Sequence, residues 1–400
     1  MTSGKKPQET IASLRVLGNV PVVIAPSSHE PRTPPARPGP DGSPRRRAGR
    51  VCAVSSNRPF IAARVELWLD RRAEWLFRLL GWTERVIPYT GYGTEDGARL
   101  LGRVVLSPRW SDTQLGQAAE EFLNRRGWRN FITAATVHAR YTIRFGDATV
   151  TGSTDRGGYI DHRLRDHGEP PGWRTATIAL PGGREFPASV LVVPNAETFG
   201  IISDLDDTVI STMLPRPLIA AWNSFFRTEA ARQAVPGMAA MFRELLAAHP
   251  NAPLVYLSTG AWNTQAFLRR FLQRHRFPDG PMLLTDWGPT NTGWFRSGQQ
   301  HKRSALLQLA TDFPRIRWLL VGDDGQHDPE IYGEFAESDP ERVRAVLIRR
   351  LNPTEQFLAH GTLEPIEPSR RRRHPGTPII QAPDGRGLLM KLRDLGIVTR

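Results

Sequence analysis

The chain has 400 residues, 40% hydrophobic and 23% charged; that composition buries a sizeable core, excludes wholesale disorder and, at this length, suits two domains. Its one cysteine, Cys52, excludes an intramolecular disulfide and a cysteine-based zinc site, and no apolar run approaches the roughly 18 to 20 residues of a membrane span. The net charge of +13 draws the protein toward polyanions, whether nucleic acid, an anionic membrane surface or phosphorylated substrates.

Residues 1–50 hold nine prolines, and nine Lys or Arg against three Asp or Glu. Such a segment buries too little apolar surface to offset the entropy of ordering it. Residues 1–58 therefore read as a disordered, basic, Pro-rich tail. Its opening, Met1-Thr2-Ser3-Gly4-Lys5-Lys6, has no apolar signal core, so a cytoplasmic location is expected. Over 59–85 the pattern turns to an amphipathic helix: Val65, Trp68, Leu69, Leu76, Leu79 and Leu80 recur at spacings of three and four, with Arg64, Arg71, Arg72 and Arg78 among them. A helix packed on the body of the protein is the plain reading; Trp and Arg together also suit a membrane interface.

Residues 86–195 read as a mainly-β accessory domain. Arg103–Leu106, Thr136–Ile143, Arg174–Ile178 and Ala188–Val193 are short strand candidates, punctuated by Gly and Pro. A sandwich-like form is expected, with one helix inserted near Leu115 to Arg126. The run Tyr89-Thr90-Gly91-Tyr92-Gly93 is distinctive, yet its residue types suggest no chemistry.

Over 196–352 the rhythm becomes strand, helix, strand. Apolar strands are expected at Phe199–Ser203, Leu254–Leu257, Met282–Leu284, Trp318–Val321 and Val343–Ile348. Helical stretches lie between them, near 217–231, 238–249, 263–275 and 302–310. Alternation of this kind predicts an α/β, Rossmann-like parallel sheet covered on both faces. Residues 353–400 read as a partly helical C-terminal extension with a second basic cluster, Arg370 to Arg373.

The chemistry lies at the strand ends. The first strand runs into Asp204-Leu205-Asp206-Asp207-Thr208, the second into Ser258-Thr259-Gly260, and the fourth into Gly322-Asp323-Asp324-Gly325-Gln326-His327-Asp328. Lys302 opens the helix before that fourth strand. In a parallel sheet, ligands sit at the carboxyl ends of the strands, so these groups converge on one cleft. Clustered carboxylates repel and call for a cation; oxygen ligands without His or Cys favour Mg²⁺. A lysine adds positive charge where a transferring phosphoryl group gathers negative charge. One carboxylate then serves as nucleophile, and a second, two residues on and facing the same side, as general acid and base.

These motifs resemble those of the haloacid-dehalogenase-type (HAD-like) phosphatases, in matching order over about 125 residues. The wording around them, Phe199–Val209, His301-Lys302 and Gly325–Tyr332, is similar to the family of actin-patch-type phosphatidate phosphatases, and the likeness extends from Tyr89 to Leu351. The resemblance implies Asp204 as nucleophile and Mg²⁺ ligand, and Asp206 as acid/base with its carbonyl on the metal. It implies Ser258 as a phosphoryl-oxygen contact, Lys302 as the neutralising cation, and Asp323 and Asp328 as further metal residues. Thr208, Thr259 and Gly260 would meet the substrate. Phosphatidate, hydrolysed to diacylglycerol, is the implied substrate, with peripheral contact to an anionic membrane through the basic tails and the 59–85 helix. A soluble phosphoester, a phosphoprotein, or a catalytically inactive phosphatidate-binding role are the alternatives; nucleic acid is not expected as a partner. Asp207 reads as a capping residue, Asp324 is ambiguous beside Asp323, and His301 and His327 read as surface or supporting residues. Asp286-Trp287 and Trp294 read as shaping the pocket.

Overall fold

A computed structural model describes residues 79–108, 136–211, 232–285, 298–360 and 376–398. The expected N-terminal tail, nearly all of the 59–85 helix, the helices near Leu115 and over 217–231, the Asp286–Trp294 segment and the Arg370 cluster lie outside the described residues.

Eight strands build the first part: β1 (Trp82–Pro88), β2 (Gly91–Thr94), β3 (Gly97–Pro108), β4 (Arg140–Phe145), β5 (Ala148–Ser153), β6 (Tyr159–Arg165), β7 (Gly172–Ala179) and β8 (Glu185–Val193). They form one sheet in the order β1-β3-β2-β8-β7-β4-β5, with β6 on the other edge of β3. β5 returns beside β6, so the sheet folds over on itself around a single core that includes Val86, Leu100, Ile143, Ile160, Ile178 and Val190. The layered form expected from sequence is thus made by one curled sheet. The alternation of buried and exposed residues in β7 and β8 follows from one face packing inward and one meeting solvent.

The second part is a six-stranded parallel sheet. Its strands are β9 (Phe199–Asp204), β12 (Leu254–Ala261), β13 (Met282–Thr285), β14 (Arg317–Asp323), β15 (Val343–Arg349) and β16 (Ile379–Ala382), in the order β13-β12-β9-β14-β15-β16. Counted within this domain, that is 3-2-1-4-5-6, the order of doubly wound sheets. A two-strand ribbon, β10 (Ile210–Ser211) with β11 (Gln233–Ala234), follows the first strand. All six residues of β9 are buried, as a central parallel strand covered on both faces requires.

Successive residues serve opposite cores. Ile201, Tyr256 and Leu319 face one, packed by α1 (Met238–Ala248), α2 (Gln265–Arg274) and α6 (Gly385–Asp394). Ile202, Leu257 and Leu320 face the other, packed by α3 (Gly298–Asp312) and α4 (Asp328–Ser338). Tyr89, Tyr92, Leu101 and Val193 of the β-rich part join this second core, so the two parts share buried surface. A short helix, α5 (Pro353–His360), follows β15.

Two boundaries need correction. β1 opens at Trp82, inside the 59–85 span expected to be a helix. Residues 353–400 are not an appendage: β16 adds the sixth strand beside β15, and Ile380, Ala382, Leu388 and Leu392 enter the core. A four-residue strand beyond a long polar stretch shows too little periodicity to be read in advance. No described helix is long and apolar enough to cross a membrane.

Candidate active site

The strand order reverses between β9 and β14, and in open α/β sheets ligands sit beyond the strand ends at such a point. Asp204 closes β9 and Asp323 closes β14, with Ser203 paired to Val321. Asp328 is the first residue of α4, where the N-terminal end of the helix dipole favours a carboxylate. Gly322 makes that approach possible, since a Cβ there would lie 2.5 Å from Asp328 Oδ2. Asp204, Asp323 and Asp328 are all buried, and each offers an oxygen within 4.8 Å of the others.

Lys302, on the second turn of α3, enters the same buried space. Its Nζ donates to Asp204 Oδ1 at 2.7 Å and to Asp328 Oδ1 at 2.5 Å. One ammonium among three carboxylates leaves net negative charge in a low-dielectric pocket. Burial, reinforced by Asp328 and Asp206, pushes the Asp204 carboxyl well above the usual carboxylate range although Lys302 opposes it. Burial raises Asp323 likewise, helped by Asp328 and Asp204. For Lys302, burial works against the charge, but Asp204 and Asp328 outweigh it and hold the ammonium well above its ordinary range.

Among the described residues, Asp204 Oδ2 and Asp328 Oδ2 are buried side-chain oxygens with no hydrogen-bond partner. Oxygens in that condition cost free energy unless something meets them. A hard divalent cation fits: the donors are all oxygen, they converge, and two are unsatisfied. Asp323 is held ready by Gly325 N–H, which donates to Oδ1 at 2.7 Å.

The second group sits at the rim. Ser258, in the irregular second half of β12, donates from Oγ to Asp206 Oδ2 at 2.9 Å, and Gly260 N–H donates to Ser258 Oγ at 2.9 Å. Asp206 is only half-buried, so its carboxyl stands apart from the three inner acids and can reach solvent. Thr259 and Gly260 are likewise half-exposed. Thr208, expected to meet substrate, is fully buried with its hydroxyl 3.4 Å from Asp323 Oδ2, behind the acids.

Asp207 adopts φ +57° in the turn after β9 and donates its N–H to Ile210 O at 2.8 Å. Asp324 faces away from the cluster: its Oδ1 accepts from Leu351 N–H at 2.8 Å and from Gln356 Nε2 at 2.9 Å. His327 is exposed beside Glu330, and His301 Nε2 lies 3.4 Å from Leu283 O.

Sequence reasoning missed Arg349, the last residue of β15. It is nearly buried, donates from Nη1 to Asp207 O at 2.6 Å, and pairs from Nη2 with Glu355 Oε1 at 2.6 Å. The guanidinium thereby pins the turn that carries Asp206. Burial pushes Glu355 up, but the Asn352 N–H and Arg349 outweigh it and hold the carboxyl below its ordinary value. The signal was available: Arg349 ends an apolar strand, the position that carries the chemistry in its neighbours.

Without a divalent ion, the protein is expected to lose stability as pH rises from about 4 toward neutrality. A carboxyl whose folded pKa is raised above its unfolded value of about 3.9 binds its proton more tightly when folded; that contribution is full below the unfolded value and fades as pH climbs through the folded one. Mg²⁺ at a hundredfold excess over its Kd adds about 2.7 kcal/mol. Thermal melts at pH 5 and pH 8 check this: the Mg²⁺-induced rise in Tm is larger at pH 8.

Residues 199–350 match the family described as phosphatidate phosphatase APP1, catalytic domain. The chain is 27% identical over 174 residues to phosphatidate phosphatase APP1 of Saccharomyces cerevisiae, covering 43% of this chain and 28% of that protein. It is 28% identical over 158 residues to an uncharacterized protein of Schizosaccharomyces pombe, covering 37% of this chain and 24% of that one. The chain thus spans about a quarter of the length of these curated relatives. Among solved structures, a carbohydrate acetylesterase from Xanthomonas citri aligns at 10% identity over 68% of this chain and 73% of its own, with a TM-score of 0.25, too low to bear on fold or chemistry.

Proposed function

Because residues 199–350 belong to the phosphatidate phosphatase APP1 catalytic-domain family, we propose that this chain is a Mg²⁺-dependent phosphatase of the haloacid-dehalogenase type, hydrolysing phosphatidate to diacylglycerol through an aspartyl-phosphate. One observation carries the reading: Lys302 occupies Asp204 Oδ1 while Asp204 Oδ2 has no hydrogen-bond partner among the described residues, where three buried acids converge. A purely structural ion pair would have no use for the two further acids or for the idle oxygen.

Asp204, Asp323 and Asp328, with the Asp206 carbonyl, would hold the ion. Bound Mg²⁺ would offset the carboxylate charge and polarise the phosphoryl oxygens. Asp204 attacks phosphorus, forming the acyl-phosphate bond as the P–O bond to glycerol breaks. Asp206 gives its proton to the departing glycerol oxygen. It then takes a proton from the water that attacks the acyl-phosphate, releasing phosphate and restoring both carboxyls. Ser258 Oγ and a neighbouring backbone N–H meet phosphoryl oxygens, and Lys302 favours the ionised form of Asp204 and orients it. Thr208 supports Asp323.

A lipid substrate implies work at a membrane surface. The basic residues of the tails, each worth about 1 kcal/mol near an anionic leaflet, would provide peripheral attachment from the cytoplasmic side. The test is phosphate release with Mg²⁺, comparing phosphatidate in mixed micelles with soluble phosphomonoesters and a phosphopeptide. Higher kcat/KM on phosphatidate is expected. Preference for a soluble ester or the phosphopeptide would overturn the lipid assignment; release from none of them would leave a phosphatidate-binding protein.

A further inference from the structure

We infer that the β-rich part completes the active site: Tyr89 is a positioning residue that clamps Trp262 and so fixes the irregular last stretch of β12, Ser258–Ala261, which Trp262 follows. The inference rests on the phosphatase reading above. The rings of Tyr89 and Trp262 stack with centroids 4.3 Å apart and planes 14° from parallel. Tyr89 is buried, and its ring belongs to the core shared with the parallel sheet.

The run Tyr89-Thr90-Gly91-Tyr92-Gly93, which has no chemistry of its own, now has a structural purpose. β2 is squeezed between β3 and β8, and a Cβ at Gly93 would lie 2.2 Å from Gly97 O; only glycine allows that approach. The backbone so fixed presents both tyrosines to the catalytic part. Tyr89 N–H donates to Leu101 O at 2.9 Å. Tyr92 is tied by Arg99 at 2.9 Å and packs on Phe313 at 5.8 Å.

The last stretch of β12, which Trp262 follows, is held at other points as well. Thr285 Oγ1 donates to Thr259 O at 2.8 Å and lies 3.2 Å from Gly260 O, while Thr264 Oγ1 donates to Ala261 O at 2.7 Å. Those contacts come from the parallel sheet's own domain. The Tyr89 ring ties the segment to the β-rich part. Ser258 and its bond to Asp206 lie four residues from Trp262, so a shift of the indole is transmitted to the acid/base pair. A displacement of about 1 Å at a reacting group costs on the order of a hundredfold in rate.

The experiment measures kcat, KM and Tm on the full chain for wild type, Tyr89→Ala, Tyr89→Phe and Phe313→Leu. Tyr89→Ala is expected to lower kcat by about 10- to 100-fold with KM changed less than about threefold. Tyr89→Phe keeps the stacked ring and stays within about twofold of wild type. Phe313→Leu loosens the same interface under Tyr92, lowers Tm, and leaves kcat in place. Wild-type kcat in Tyr89→Ala, equal losses in the Ala and Phe variants, or a kcat loss in Phe313→Leu matching that of Tyr89→Ala would each overturn the clamp. If wild type releases no phosphate from any ester, the phosphatase reading fails and takes the clamp with it; an active wild type beside an unaffected Tyr89→Ala refutes the clamp alone.

Discussion

Replacing Asp204 with Asn is expected to lower Mg²⁺-dependent phosphate release on the order of a thousandfold or more while leaving the fold intact. The amide oxygen can still accept from Lys302, which now reaches Asp204 Oδ1 at 2.7 Å, so the packing of the pocket is kept. What disappears is the nucleophile: an amide does not attack phosphorus to form an acyl-phosphate. The change also removes one of three mutually repelling buried acids, so the metal-free variant should melt no lower than wild type. Rate and stability therefore move in different directions, which a misfolded variant would not do. Phosphate-release assays beside thermal melts check both, and undiminished release would remove Asp204 from the mechanism.

Lys302→Met should damage both quantities. The lysine is buried and bonded to Asp204 and Asp328. Its loss leaves three carboxylates without the ammonium that bridges two of them. Breaking a buried pair by removing one partner costs about 3–5 kcal/mol, which for a domain of this size is a fall in Tm of about 10 °C. Added Mg²⁺ should recover part of the loss, because the ion supplies charge to the same oxygens, but not the activity that needs an oriented Asp204. An unchanged Tm in the absence of metal would mean that the ammonium is not where the charge balance requires it.

The inner acids were legible because a parallel sheet gathers its strand tips: once Phe199–Ser203 and Trp318–Val321 read as strands, Asp204 and Asp323 fell at the same end of the sheet, and the pairing of β14 with β9 makes them neighbours. Asp328 followed from the acidic run after the fourth strand and Lys302 from the helix before it, although Lys302 sits on the second turn of that helix rather than at its start. Thr208 was harder to place. In sequence it shares a motif with Asp206, but the turn after β9 sends it into the core against Asp323.

Arg349 and Tyr89 could not be weighted in the same way. An arginine ending a strand is usually solvated, and only its burial against Asp207 O and Glu355 makes it part of the site. The purpose of Tyr89 depends on packing between two parts of the chain far apart in sequence, which residue spacing does not encode. The same holds for β16, whose four residues become a strand only because β15 offers an open edge.

The account depends on a divalent ion gathered by Asp204, Asp323 and Asp328 with the free Asp204 oxygen turned toward phosphorus. A crystal structure of the full chain with Mn²⁺ and beryllofluoride tests it most directly, using anomalous scattering to locate the ion. A single Mn²⁺ peak is expected within about 2.0–2.3 Å of Asp204 and Asp323 oxygens, with a beryllofluoride group on the Asp204 oxygen that the ion does not hold. An ion bound elsewhere, or an adduct on any residue other than Asp204, would contradict it.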